Sequence, residues 1–152
     1  MITSNDTDHV VTKSITVEAA VEWAFRVWTE QIRAWWPVSH SRSGDPQAQV
    51  FMEGRVGGRF YERASDGVEY DWGEVVDWEP PHRLAFTWYL GSSRELPTRV
   101  EIRFVALAER RTRLDLEHRG PELIGDLWGQ RQRIFSASWD SVLARFGAFL
   151  VY

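Results

Sequence analysis

Three side chains in this sequence join an ionisable group to a position that can face an apolar interior: His118, Glu62 and Glu74. His118 shares one side of an alternating run with Leu114 and Leu116, while Arg113, Asp115 and Glu117 take the other side. Its imidazole can therefore enter the interior as a base or as a ligand-binding donor. The same position lets it end a strand and hydrogen-bond a nearby backbone or the following loop. Glu62 shares parity with Phe60, and Glu74 shares parity with Trp72, Val76 and Trp78. Carboxyls turned into an apolar space are the usual material of general acid and base chemistry, because desolvation favours their protonated form. A local twist or bulge would instead bring them to a rim beside Arg59, Arg63 or Arg83. Glu69 and Asp71 have the opposite parity and are expected to face solvent.

Nine Trp and eight Phe in 152 residues point to a wide interior lined partly by flat rings. Trp35, Trp36, Trp72, Trp88 and Trp128 can stack on a flat ligand or simply fill the core. Trp35-Trp36-Pro37 ends a helical run before a loop, which places one indole partly exposed at the mouth of any cavity. Other chemistries are set aside. The histidines stand at 9, 40, 82 and 118, with no pair at ligand spacing, so no metal site is expected. With no Cys there is no disulfide, thiolate catalysis or zinc-thiolate site. No Gly-x-Ser-x-Gly or phosphate-cradling loop is present. Gly54-x-x-Gly57-Gly58 lies between strands, the wrong context for a dinucleotide, and no cofactor is expected. A net charge of −4 argues against a nucleic-acid partner. No apolar run reaches membrane-spanning length and the first residues are polar, so a cytoplasmic protein is expected.

The elements that must position these groups follow from periodicity. Met1–Asp8 reads as a frayed tail, and His9 to Val17 alternates like a strand. Val21, Phe25, Trp28 and Ile32 mark a helix face that runs to Trp36, with a break at Thr29-Glu30-Gln31 that divides it in two; Pro37 stops it. The segment from Val38 to Gln47 has no period and reads as a loop. Strands are then expected at 48–52, 59–63, 68–78, 84–89, 99–104 and 113–118. Ser65-Asp66-Gly67 forms a hairpin turn between two of them, and polar Gly91–Leu96 forms a loop. Residues 120–132 read as a loop or lid carrying Trp128. From Arg133 to Leu150, apolar residues at Phe135, Trp139, Val142, Leu143, Phe146, Phe149 and Leu150 mark one face of a helix about 27 Å long. Strands with one apolar face need a cover, and this helix supplies it. The result is one α+β domain, expected over residues 1–152, with a ligand space between the curved sheet and the helix.

Several stretches resemble a known family. Gly57-Gly58-Arg59-Phe60 resembles the Gly-Gly-x-Phe turn of the START-like (SRPBCC) superfamily, in the branch related to the heat-shock protein ninety ATPase activator and polyketide cyclase-like proteins. Trp72-Gly73-Glu74-Val75-Val76, Pro80-Pro81-His82-Arg83-Leu84 and Phe86-Thr87-Trp88 are similar to that branch's central strands. Thr112–Gly120 is similar to its Thr-x-Leu-x-Leu-x-His-x-Gly strand. Ser138-Trp139-Asp140-Ser141-Val142-Leu143 resembles its Gly-Trp-x-x-x-Leu helix, with Ser138 in place of glycine. The likeness covers about residues 10 to 151. It implies a helix-grip fold: a curved antiparallel sheet of six to seven strands around a long C-terminal helix, with two short helices after the first strand. Its members bind lipophilic molecules, cyclise polyketides or contact partner proteins.

Three functions are therefore expected in order. The first is binding of a lipophilic or aromatic small molecule, with Trp35, Trp36, Phe60, Trp72, Phe86, Trp88, Phe104, His118, Phe135 and Trp139 as the ligand-binding set. The second is an enzyme of the cyclase or aromatase type, which would need His118, Glu62 or Glu74 to converge in the cavity. The third, from the resemblance alone, is a module that stimulates a chaperone-type ATPase partner. Monomer and dimer both stay open.

Overall fold

The computed structural model describes residues 10–37, 39–89, 97–120 and 126–151, with side chains at all of these except 126–130 and 151. Met1–Asp8, the loop at 91–96 and the first part of the expected lid, 121–125, lie outside the described residues. Seven strands make one curled antiparallel sheet in the order β1-β7-β6-β5-β4-β3-β2. They are β1 (Val10–Val17), β2 (Gln49–Met52), β3 (Arg59–Arg63), β4 (Glu69–Glu79), β5 (Arg83–Trp88), β6 (Thr98–Ala108) and β7 (Arg111–Arg119). Helices α1 (Val21–Glu30) and α2 (Ile32–Trp35) fall between β1 and β2, and α3 (Asp126–Val151) closes the chain. This is the helix-grip arrangement.

Alternation sets the inner face. Val100, Ile102 and Phe104 on β6 stand opposite His118, Leu116 and Leu114 on β7, and all six are buried. The face they make with β5 is covered by Phe135, Trp139, Val142, Leu143 and Phe146 of α3, all buried. Lys13 of β1 pairs with Asp140 at 2.9 Å along the margin of that helix. The outer face is solvated and carries charge ladders. Arg59 meets Asp71 at 2.8 Å and Glu69 at 3.0 Å, while Arg83 reaches Asp77, Glu79 and Glu101. The arginines considered as partners for Glu62 or Glu74 are thus engaged elsewhere. At the β3–β4 hairpin Gly67 takes φ +89°, and Ala64 N donates to Val68 O, the turn expected of Asp-Gly.

Alternation fails in β4. Bulges interrupt its pairing opposite Phe60/Tyr61 and again between Val75 and Asp77. Each inserts one residue, so strict two-residue parity is lost: Trp72 and Trp78 both pack with the core, and Val75 between them is buried as well. Glu74 is consequently exposed on the outer face, contrary to the parity expectation. The first bulge also brings two backbones together: a Cβ on Gly73 would collide with Thr87 O on β5.

The helices depart less. α1 ends at Glu30 beside the expected break, and Thr29 Oγ1 donates back to Phe25 O at 2.9 Å. α3, by contrast, starts at Asp126, so 126–132 are helical rather than loop; the side chain of Trp128 lies outside the description. Gly129 and the missing apolar period hide those turns in the sequence. Extending an existing helix needs no new nucleus, so the striped segment carries them.

Candidate ligand-binding site

Four of the expected rings meet at the mouth between sheet and helix. Trp36 comes from the end of α2, Trp88 from the end of β5, and Phe135 and Trp139 from α3. Together with Ser39, His40, Ser41, Ile134, Ser138 and Val142 they line a pocket of about 200 Å³. Trp36 is the hinge of this wall. Its ring lies 6.2 Å from Trp88 and 6.1 Å from Trp139, and its Nε1 donates to His40 O at 2.9 Å. Both Trp35 and Trp36 are buried, so the partly exposed indole expected there is absent, although Trp36 does form the pocket wall.

The other members of the expected set stand behind this wall. Phe60 packs at 5.4 Å from Trp72 and 5.0 Å from Phe86, and Trp72 lies 5.3 Å from Trp36. Trp35 donates Nε1 to Val27 O at 2.9 Å and packs on Trp28 and Phe146. Phe104 packs on Phe25 at 5.2 Å, remote from the pocket lining. Much of the space between sheet and helix is thus filled by the protein's own rings.

His118 is fully buried at the back of the pocket, where it joins two wall residues. Trp139 Nε1 lies 2.9 Å from its Nδ1, and an indole can only donate, so Nδ1 accepts. The ring proton of the neutral imidazole is then on Nε2, which donates to Thr98 Oγ1 at 2.6 Å. The Thr98 hydroxyl continues to Trp88 O at 3.3 Å. This relay runs from α3 through β7 and β6 to β5. Burial pushes the His118 pKa down to about 3, so the ring stays neutral near pH 7. Both ring nitrogens are held by side chains rather than by the backbone or loop partner considered from the sequence.

Glu62 is also fully buried, and it holds the loop that carries the pocket's polar lip. Its Oε1 accepts from Arg42 N at 2.5 Å and from Trp72 Nε1 at 2.8 Å, and its Oε2 accepts from Ser43 Oγ at 2.7 Å. Asp45 pins the far end of that loop, accepting from Ser65 N and Oγ at 2.8 and 2.6 Å; those bonds hold its pKa below the usual carboxylate range. His118, Glu62 and Glu74 therefore do not converge, since one is tied behind the wall, one is tied under the loop and one is outside. The residue that sequence reasoning passed over is His40. Its loop has no periodicity, and the available signal was a polar Ser39-His40-Ser41 run one residue after Trp35-Trp36-Pro37.

A second, wider groove of about 980 Å³ lies on the other side of α3, against β1, the start of α1 and the β6–β7 turn. Ala19, Ala20, Ala144, Gly147 and Ala148 line much of it, and Trp23 is its one ring. It also carries the charged side chains Glu18, Glu109 and Arg110, and it offers one ring against four, so the smaller pocket is the better site for a flat apolar ligand.

No helix among the described residues is long and apolar enough to cross a membrane, and no cluster of three or more metal-ligating side chains occurs among them. A curled sheet gripping one long helix, with an aromatic pocket at the open end, defines a START-like domain. More narrowly, the chain belongs to the family described as activator of Hsp90 ATPase homolog 1-like protein, whose model matches residues 18–150. Among solved structures it is similar to Txn09, an anthrahydroquino-γ-pyrone synthase, with 33% identity, coverage of 93% of this chain and 97% of that one, and a TM-score of 0.61. It is similar to CalC, a self-sacrificing resistance protein from Micromonospora echinospora, with 27% identity, 94% of each chain covered and a TM-score of 0.70. Protein MLL2253 from Mesorhizobium loti shares the fold at 20% identity and a TM-score of 0.68, over 93% of this chain and 96% of that one. No curated protein matches the chain.

Proposed function

We propose that the protein binds a compact lipophilic or aromatic molecule in the pocket walled by Trp36, Trp88, Phe135 and Trp139. The observation that carries this reading is the convergence of four rings from three separate elements on one space of about 200 Å³. A dry cavity of about 150 Å³ accommodates benzene. The volume here therefore suits one or two fused rings, and a larger ligand would project through the mouth past Ser39 and the exposed Ile134. Offset and edge-on contacts with several indoles favour a flat ligand over an alkyl chain of equal area.

A second reading, an enzyme acting on an aromatic substrate, is supported by the 33% identity with a synthase. The three acid–base groups expected from the sequence do not meet, so such chemistry would have to use the pocket's own polar groups, Ser39, His40, Ser41 and Ser138.

Native mass spectrometry of protein purified gently from its own cells tests the binding reading. A reproducible added mass that is lost on denaturation is expected. Bare protein that also fails to take up naphthalene-sized probes would refute it.

A further inference from the structure

We infer that His40 receives an oxygen atom of the bound molecule, so that the pocket selects aromatic hydroxyl or keto compounds over the bare hydrocarbon. This rests on the reading of the ring-lined pocket as the ligand site. Three of the pocket's four polar side chains are consecutive in the chain. Ser39, His40 and Ser41 form one edge, and Ser138 projects from α3. A ligand lying flat on the indoles thus presents one margin to a polar lip.

Within the lip, His40 has the bonding capacity that suits an oxygen. Its Nδ1 is engaged by Ser39 Oγ at 3.1 Å, and Nε2 has no bond among the described residues. A serine hydroxyl can donate or accept, so the pair with Nδ1 runs either way and the imidazole tautomer follows. In one tautomer Nε2 accepts from a hydroxyl; in the other it donates to a carbonyl. Partial burial lowers the His40 pKa, which keeps the ring neutral and both options available near pH 7. No other ionisable side chain lines the pocket among the described residues, so a charged ligand would find no counter-ion and a neutral oxygen is the matching group.

The lip is also preorganised. His40 O holds Trp36 Nε1 at 2.9 Å and His40 N donates to Pro37 O at 2.9 Å. On the far side Glu62 fixes Arg42 N and Ser43 Oγ. The imidazole therefore stands on backbone tied from both directions, which reduces the ordering needed when a ligand arrives. A site built to hydrogen-bond an oxygen discriminates against the analogue lacking it more strongly than a plain apolar pocket can.

The test uses two probes of one ring size, naphthalene and 1-naphthol, titrated at pH 7.5 by tryptophan fluorescence and calorimetry. Wild-type protein is expected to bind 1-naphthol about tenfold more tightly, the factor that one net hydrogen bond supplies. His40→Phe should bring the preference, read as the ratio of the two affinities in the same variant, below about threefold. His40→Gln, which keeps an amide donor and acceptor, should retain part of the preference and guards against a folding defect in the Phe variant. Equal binding of both probes by wild type, or an undiminished preference in His40→Phe, would overturn the inference while leaving the pocket as the ligand site. Failure of the wild-type protein to bind either probe would overturn the pocket reading and this inference with it.

Discussion

Lowering the pH should destabilise this fold through one imidazole, by an amount the geometry allows to be worked out. His118 is fully buried and accepts from Trp139 Nε1 through Nδ1, so protonation would set two N–H groups against each other in an apolar space. Its pKa falls from 6.5 to about 3 because of burial. Between those values the unfolded chain binds more protons than the folded one, so stability is complete above about pH 6.5 and falls as pH drops toward 3. At pH 4 about 2.5 of the 3.5 units have been traversed, which at 1.36 kcal/mol per unit is about 3 kcal/mol. With a urea m-value of about 2 kcal/mol per molar, the midpoint should move by about 1.5 M between pH 7.5 and 4 from this group alone. Carboxylates titrate in the same range, so the assay compares wild type with His118→Asn, whose side-chain oxygen can still accept from Trp139. Urea unfolding at each pH should give curves that converge on acidification, the variant losing about 3 kcal/mol less. Parallel curves for the two proteins would show that His118 is not held neutral by the fold.

Substitutions at three further positions test the packing of the sheet, the loop and α3. Glu62→Ala removes the acceptor for Arg42 N, Ser43 Oγ and Trp72 Nε1 and leaves a buried indole N–H without a partner. It should cost about 3 kcal/mol and lower the melting temperature by roughly 9 °C, with Glu62→Gln intermediate; an unchanged melt would deny the carboxylate its anchoring role. Gly73→Ala drives a Cβ into Thr87 O across two strand backbones and should cost more than about 3 kcal/mol. Gly147→Ala meets only Ile15 Cδ1 at 3.9 Å and should stabilise α3 by up to about 1 kcal/mol, so the two melts should shift in opposite directions.

The legible parts of this fold are those where one rule acts alone. Val100, Ile102 and Phe104 alternate against Leu114, Leu116 and His118 because β6 and β7 pair in even register up to the turn, so parity gives the inner face directly. The stripe from Phe135 to Phe146 names the gripped helix for the same reason. Parity broke in β4, where a bulge needs only one extra residue and leaves no compositional trace beyond Gly73. That single residue sends Glu74 outward. At the site, the aromatic count foretold the walls but not which rings would reach a pocket, since Phe60, Trp72 and Phe86 differ from Trp36 and Trp88 in depth rather than in type. His40 was hidden because its position depends on a carboxylate twenty-two residues downstream, Glu62, folding under the loop. Contacts of that kind have no period.

The central claim is the location of the ligand site, and the indole N–H signals of a ¹H–¹⁵N spectrum test it most directly. Trp36 Nε1 and Trp139 Nε1 are each held by a defined acceptor, His40 O and His118 Nδ1, while Trp23 marks the outer groove. Titration with 1-naphthol should shift the Trp36 and Trp139 signals at saturating probe and leave Trp23 in place. A shift confined to Trp23, with Trp36 and Trp139 unmoved, would put the ligand in the outer groove and contradict the account.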